Sequence, residues 1–176
     1  MVRRYVSVGR VNMNYEIEKT DEIISPALIY YLDELKRNTE EIIRVAGNTE
    51  RLWPHVKTHK CIRMVELLMS YGICKFKAAT IAEAEMCAMA GAQKVILAYP
   101  LVGPNQKRLI QLSKAYPQTS FYAIEDDLEQ FQQLSQACIE QNWTMSCLLD
   151  INPGLNRTGV ALEKAEKLYR AAAGLP

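Results

Sequence analysis

Lys75-Phe76-Lys77-Ala78-Ala79, Thr80-Ile81-Ala82-Glu83 and Val95-Ile96-Leu97-Ala98-Tyr99 together hold one complete crossover unit. Lys75–Ala79 reads as a short strand. Thr80 followed three residues later by Glu83 is a capping box, which satisfies the first free amides of a helix. That helix runs through Ala90 and stops at Gly91. Val95–Tyr99 is a continuous apolar run, the signature of a buried strand in a parallel sheet. A strand plus its crossover helix takes about 20–25 residues, enough to bring the chain back parallel to itself.

The same unit repeats on both sides. Towards the N-terminus, Ile62, Val65, Leu68 and Met69 mark a helix ended by Gly72. Before it, Leu35, Thr39, Ile42, Ile43 and Ala46 mark a helix starting at about Asp33 and stopped by Gly47, with Asp33/Arg37 and Glu40/Arg44 as i,i+4 ion pairs. Ala27–Leu32 is a short apolar run after Ser25-Pro26. Towards the C-terminus, Pro104 suits the first turn of a helix carrying Leu109, Leu112 and Ala115. Ser120–Ile124 reads as a strand, and Asp126 or Asp127 caps a helix with Leu128, Phe131, Leu134 and Cys138. Met145–Ile151 is a strand, Pro153-Gly154 a turn, and Leu162, Ala165, Leu168 and Ala172 mark a last helix before Gly174. The class is α/β, with a parallel sheet covered on its outer side. An open doubly wound sheet and a (β/α)8 barrel both fit this pattern. No G-x-G-x-x-G or G-x-x-x-x-G-K-[ST] opens a helix, which weakens a dinucleotide-binding version.

The bulk properties narrow the function. A chain of 176 residues, 49% hydrophobic, is long enough for one core. A formal net charge of +1 gives no electrostatic footprint for nucleic acid or an acidic membrane. No run is long enough to span a bilayer, and Arg3, Arg4 and Arg10 precede no apolar signal core, so a cytoplasmic location is expected. Five scattered cysteines without C-x-x-C read as small buried hydrophobes in a reducing compartment rather than a zinc or disulfide framework.

Chemistry concentrates in Arg51-Leu52-Trp53-Pro54-His55-Val56-Lys57-Thr58-His59-Lys60, which holds both histidines. Read as a strand, it turns Trp53, His55, Lys57 and His59 to one side and Pro54, Val56 and Thr58 to the other. A lysine on the inward face of a buried strand is costly unless neutralised, paired or covalently used, which makes Lys57 the first functional candidate. His55 and His59 have the i,i+4 spacing of a helical zinc pair, but Pro54 and the β-branched Val56 and Thr58 argue against a helix. For each histidine a purely structural role is the alternative.

Pro54-His55-Val56-Lys57-Thr58-His59-Lys60 resembles the lysine motif of fold-type III pyridoxal-phosphate enzymes, in the D-threonine aldolase and D-serine dehydratase branch, with Trp53 where that branch usually has arginine. Three further stretches are similar in order: Ser25-Pro26-Ala27-Leu28; Lys77–Glu85 followed by Ala98–Pro104; and Asp150-Ile151-Asn152-Pro153-Gly154-Leu155-Asn156-Arg157-Thr158-Gly159-Val160. The resemblance runs from about residue 25 to the end. It implies a (β/α)8 TIM-type barrel of the alanine racemase N-terminal type, of which residues 25–176 hold about the first five βα units, preceded by an N-terminal extension over residues 1–24. A mostly β domain follows the barrel in the family, so the chain reads as part of a longer enzyme and is expected to be inactive alone.

The resemblance implies pyridoxal 5'-phosphate as cofactor, bound through a Schiff base to Lys57. His55 would pack beside it, Arg157 would hydrogen-bond its phenolic oxygen, and Thr158 and Tyr99 would add contacts. His59 would carry a proton or support the site. Asp150 either orients Arg157 or caps the turn, and Tyr99 is either a pocket residue or a core tyrosine. The implied substrate is a small D-β-hydroxy amino acid. The expected activity is a D-threonine aldolase-like lyase giving glycine and acetaldehyde. A D-serine dehydratase-like ammonia-lyase and a non-catalytic pyridoxal-phosphate carrier are the alternatives. Alanine racemase would place a tyrosine a few residues after the lysine, where Thr58, His59 and Lys60 stand. The full-length family implies a homodimer and a divalent metal, none of whose ligands can be placed in this chain.

Overall fold

The computed structural model describes residues 15–176. Residues 1–14 of the expected N-terminal extension, including Arg3, Arg4 and Arg10, lie outside the described residues. The elements follow the order α1 (Leu32–Ala46), α2 (Ile62–Ser70), β1 (Lys75–Ala78), α3 (Ile81–Met89), β2 (Lys94–Leu97), α4 (Asn105–Ala115), β3 (Ser120–Glu125), α5 (Leu128–Glu140), β4 (Ser146–Leu149) and α6 (Leu162–Ala173). The four strands form one parallel sheet in sequence order, β1-β2-β3-β4, and a single parallel bridge between His55 and Lys77 adds a fifth segment beside β1.

The register settles which of the two architectures is built. Phe76 pairs with Val95, Val95 with Phe121, and Ala78 with Leu97, and all of these side chains are buried. They share one face, and the helices pack there: α3 against β1 and β2, α4 against β3, and each helix from α2 to α6 against the next. A doubly wound sheet would place helices on both faces. Sequential parallel strands with one-sided helices make the wall of a (β/α)8 barrel, here five βα units long. The opposite face, with Lys77, Ile96, Tyr122 and Ser146 in one row, is the inner face of that wall. The core between sheet and helices includes Val65, Ile73, Phe76, Cys87, Val95, Leu109 and Ile110, all fully or almost fully buried. Burying one such side chain is worth about 1.5–3 kcal/mol.

The helix ends follow local rules. Thr80 caps α3, its Oγ1 accepting from the Glu83 amide at 3.1 Å. The Glu83 carboxylate reaches one residue further back than a capping box requires and accepts from the Ala79 amide at 2.7 Å. At the other end Gly91 adopts φ +90, and bonds from the Gly91 and Ala92 amides to the Ala88 and Cys87 carbonyls close a Schellman cap. Asp127, rather than Asp126, caps α5 by accepting from the Glu129 amide at 2.8 Å.

Some sequence expectations change. On α1 the ion pairs form at i,i+3, Glu34 with Arg37 and Glu41 with Arg44, instead of Asp33/Arg37 and Glu40/Arg44. The apolar run Ala27–Leu32 makes no strand; its last residue starts α1. Among the described residues no helix is long and apolar enough to cross a membrane. All five cysteines are free, and burial pushes the Cys87 and Cys147 thiols up to about 12.

Candidate active site

The Trp53–His59 segment is not the alternating strand its sequence suggests. Pairing stops at His55, where the Lys77 amide donates to the Pro54 carbonyl at 2.9 Å. Val56–Thr58 then forms a 3-10 turn. Two local interactions outcompete the ladder. His55 Nδ1 accepts from the Lys57 amide at 3.3 Å, and Val56 is fully buried, so its carbonyl folds back to accept from the His59 and Lys60 amides at 3.2 and 2.9 Å. Lys57 and Thr58 are both exposed, and His55 and His59 are half-buried. The inward, buried position expected for Lys57 is therefore corrected. It stands in a turn at the carboxyl rim of the wall.

Lys60 next turns the chain with φ +46, and its ammonium pairs with the Glu83 carboxylate, which is only 4% exposed. Burial opposes charge on Glu83, but Lys60 and the Ala79 amide outweigh it and hold the carboxyl below the ordinary glutamate range. Lys75 on β1 is likewise paired, with Glu50 at 2.5 Å. Lys57 Nζ has no hydrogen-bond or ion-pair partner among the described residues, so its amine is available. His59 Nδ1 accepts from the Cys61 amide at 3.1 Å. Burial is the main cause holding both histidines below the ordinary imidazole range; at His55 the charges of Lys57 and Lys77 add to it.

Three further residues on the inner face of the wall were not assigned to the site by sequence reasoning. Lys77 is half-buried beside His55. Trp53 meets Tyr122 edge-on at 6.2 Å, forming an aromatic wall. The alternation within Lys75–Ala78 and Ser120–Glu125 carried the signal for Lys77 and Tyr122, since Phe76, Ala78, Phe121 and Ala123 claim the other face.

Tyr99 follows β2 and is 63% exposed, which rules out the core tyrosine. Arg157 and Thr158 lie in the loop after β4, exposed and half-buried respectively. That loop is pinned at its base by a parallel bridge between Ile151 and Val160. Asp150 neither orients Arg157 nor caps the turn among the described residues; it contributes its backbone, accepting from the Val160 amide at 2.9 Å. The cap is Asn152, whose Oδ1 accepts from the Gly154 and Asn156 amides at 2.9 and 3.1 Å. Gly159 has φ +98, and a Cβ there would lie 2.5 Å from the Asn152 nitrogen. Its amide donates to Asp126 Oδ2 at 2.7 Å.

His55 and His59 flank one 3-10 turn instead of sharing a helical face, and among the described residues no group of three His, Cys, Asp or Glu could hold a metal ion. An amine without an ion-pair partner, in a turn held by a half-buried imidazole, does fit an aldehyde cofactor.

Comparison with known proteins gives the lineage. The family model of the alanine racemase N-terminal domain matches residues 31–176. No curated protein matches the sequence. Among solved structures, D-threonine aldolase from Filomicrobium marinum is similar with TM-score 0.78 and 31% identity, covering 89% of this chain and 42% of that one. D-threo-3-hydroxyaspartate dehydratase from Delftia sp. HT23 is similar with TM-score 0.75 and 23% identity, covering 85% and 39%. An alanine racemase-like protein from Idiomarina loihiensis has TM-score 0.65 and 20% identity, covering 81% and 38%. The chain thus spans about two-fifths of the length of these solved relatives. With most of its length matched and its strands in barrel order, the chain belongs to the alanine racemase N-terminal domain family and carries the fold of fold-type III pyridoxal-phosphate enzymes.

Proposed function

We propose that this chain is the lysine-bearing part of a pyridoxal-phosphate-dependent lyase of the D-threonine aldolase kind, acting on small D-β-hydroxy amino acids. The observation that carries the reading is the exposed Lys57 amine, without an ion-pair partner among the described residues, in a turn capped by the half-buried His55. The 31% identity to an aldolase over 89% of this chain supports the substrate class.

Pyridoxal phosphate, when bound, supplies an aldehyde for covalent capture and a sink for the electron pair released at the substrate's α-carbon. The residues of this chain do the rest. Lys57 Nζ is the capturing amine. His55, fixed by the bond its Nδ1 accepts from the Lys57 amide, would pack beside the cofactor ring. Arg157 would supply a permanent cation to the cofactor's phenolic oxygen, and Thr158 and Tyr99 would add contacts. His59 spends the Nδ1 lone pair on the Cys61 amide, so its neutral ring carries its hydrogen on Nε2 and would support the site by donating a hydrogen bond to the substrate's β-hydroxyl. No ligand set for the divalent metal implied by the resemblance is present among the described residues, so no step is assigned to it. The proposed partners are a small D-amino acid and, in the full-length form, a second copy.

The test is borohydride reduction of the chain mixed with pyridoxal 5'-phosphate, followed by peptide mass mapping. The added mass should sit on Lys57, and Lys57→Ala should lose both it and the accompanying absorbance change. Labelling of Lys60 or Lys77 with Lys57 untouched would refute the assignment.

A further inference from the structure

Two neighbouring acids at the carboxyl end of β3 each hold one rim loop by a backbone amide. Glu125 Oε1 accepts from the Leu101 amide at 3.3 Å, two residues after Tyr99. Asp126 Oδ2 accepts from the Gly159 amide at 2.7 Å, two residues after Arg157. The second bond is short and charge-assisted, and it reaches the loop at its tightest point, where Gly159 packs against the Asn152 backbone. The cap of α5 does not need Asp126, because Asp127 makes it. Asp126 therefore has no role in its own helix. Its carboxylate bridges from the end of β3 to the loop after β4.

We propose that Asp126 is a positioning residue for Arg157: by anchoring the Gly159 amide it fixes the direction in which the 152–159 loop presents the guanidinium to the cofactor site. The loop's own bonds, from Asn152 and the Ile151–Val160 bridge, set its shape, while Asp126 sets its placement relative to β3. The inference rests on the cofactor reading given above for Arg157.

The test compares the parent chain with Asp126→Ala, Asp126→Asn, Arg157→Ala and the Asp126→Ala/Arg157→Ala double variant. Hydrogen exchange is read over residues 152–160, and pyridoxal 5'-phosphate affinity by titration. Asp126→Ala should speed exchange within that loop and weaken pyridoxal 5'-phosphate about ten- to hundredfold, the range for a lost charge-assisted bond. Asp126→Asn keeps a carbonyl acceptor and should recover most of both losses. In the Arg157→Ala background Asp126→Ala should weaken binding no further, a non-additivity that a general loss of stability would not produce. Parent-like affinity and loop exchange in Asp126→Ala overturns the proposal, as do additive losses in the double variant. If the parent chain fails to bind pyridoxal 5'-phosphate, the functional reading falls. Loop exchange then judges the anchor alone: unchanged exchange in Asp126→Ala overturns it, and faster exchange confined to residues 152–160 supports it.

Discussion

Glu125→Gln should make the protein more stable at alkaline pH than the natural sequence. Glu125 is fully buried among the core side chains on the helix-covered face of β3. Oε1 accepts from the Leu101 amide, and Oε2 has no partner. Burial chiefly, with Asp126 and Asp127 adding repulsion, raises the carboxyl from 4.5 to about 7, against the opposing pull of the Leu101 amide. Between those values the folded chain keeps a proton that the unfolded chain has released. Stability therefore falls as pH rises through that interval, and the loss is complete above it. At about 1.4 kcal/mol for each pH unit of difference, the loss is about 3 kcal/mol. Glutamine keeps the acceptor for Leu101 and cannot ionise. Its amide nitrogen replaces an already unpartnered oxygen, and that cost is the same at every pH. Urea unfolding followed by circular dichroism at about pH 4 and about pH 8 should show the variant gaining about 3 kcal/mol on the parent between the two. Parallel curves would mean that Glu125 ionises in the fold like a solvated acid, and the desolvation argument would be wrong.

Three further outcomes are expected. Gly159→Ala puts a side chain into left-handed backbone, costing about 1–3 kcal/mol before the contact with Asn152 is counted; thermal unfolding and faster exchange in the 152–160 loop would show it, and a parent-like melting temperature would contradict it. Thr80→Ala removes the cap of α3 and should cost about 1 kcal/mol in urea unfolding, while Thr80→Ser should restore it. Glu83 contributes stability at neutral pH that disappears as pH falls through its depressed folded-state value, so Glu83→Gln should lower neutral stability and flatten the acid side of the stability–pH curve.

The parallel βα repeat was legible because it is written in short-range rules: Thr80 and Gly91 delimit α3, and Val95 with Leu97 fix the buried parity of β2. Barrel against doubly wound sheet was not legible from pattern, since it depends on which face each helix takes, and only the shared register of Phe76, Val95 and Phe121 reveals that. The candidate site was half legible. The run from Pro54 to Lys60 pointed to Lys57, but strand periodicity misplaced it, because side-chain-to-backbone bonds from His55 broke the ladder after one residue. Asp126 was hidden for a similar reason. Of three consecutive acids after Ile124, Asp126 and Asp127 were equal candidates for one cap, and the long-range amide partners of Glu125 and Asp126 leave no local trace. The strand expected to stop at Ile124 extends through Glu125, an acid standing where the alternation of Phe121 and Ala123 asks for an apolar side chain.

The two rings on either side of Lys57 share one constraint. His55 and His59 each commit the lone pair of Nδ1 to an amide two residues ahead, so in the neutral state each must hold its single hydrogen on Nε2. Both turns are thereby locked to one tautomer. Acidification strong enough to place a second hydrogen on those rings would expel the amides and undo the two turns together. The segment carrying the amine is thus a latch that acid opens, and nitrogen chemical shifts of the two imidazoles would report its state directly.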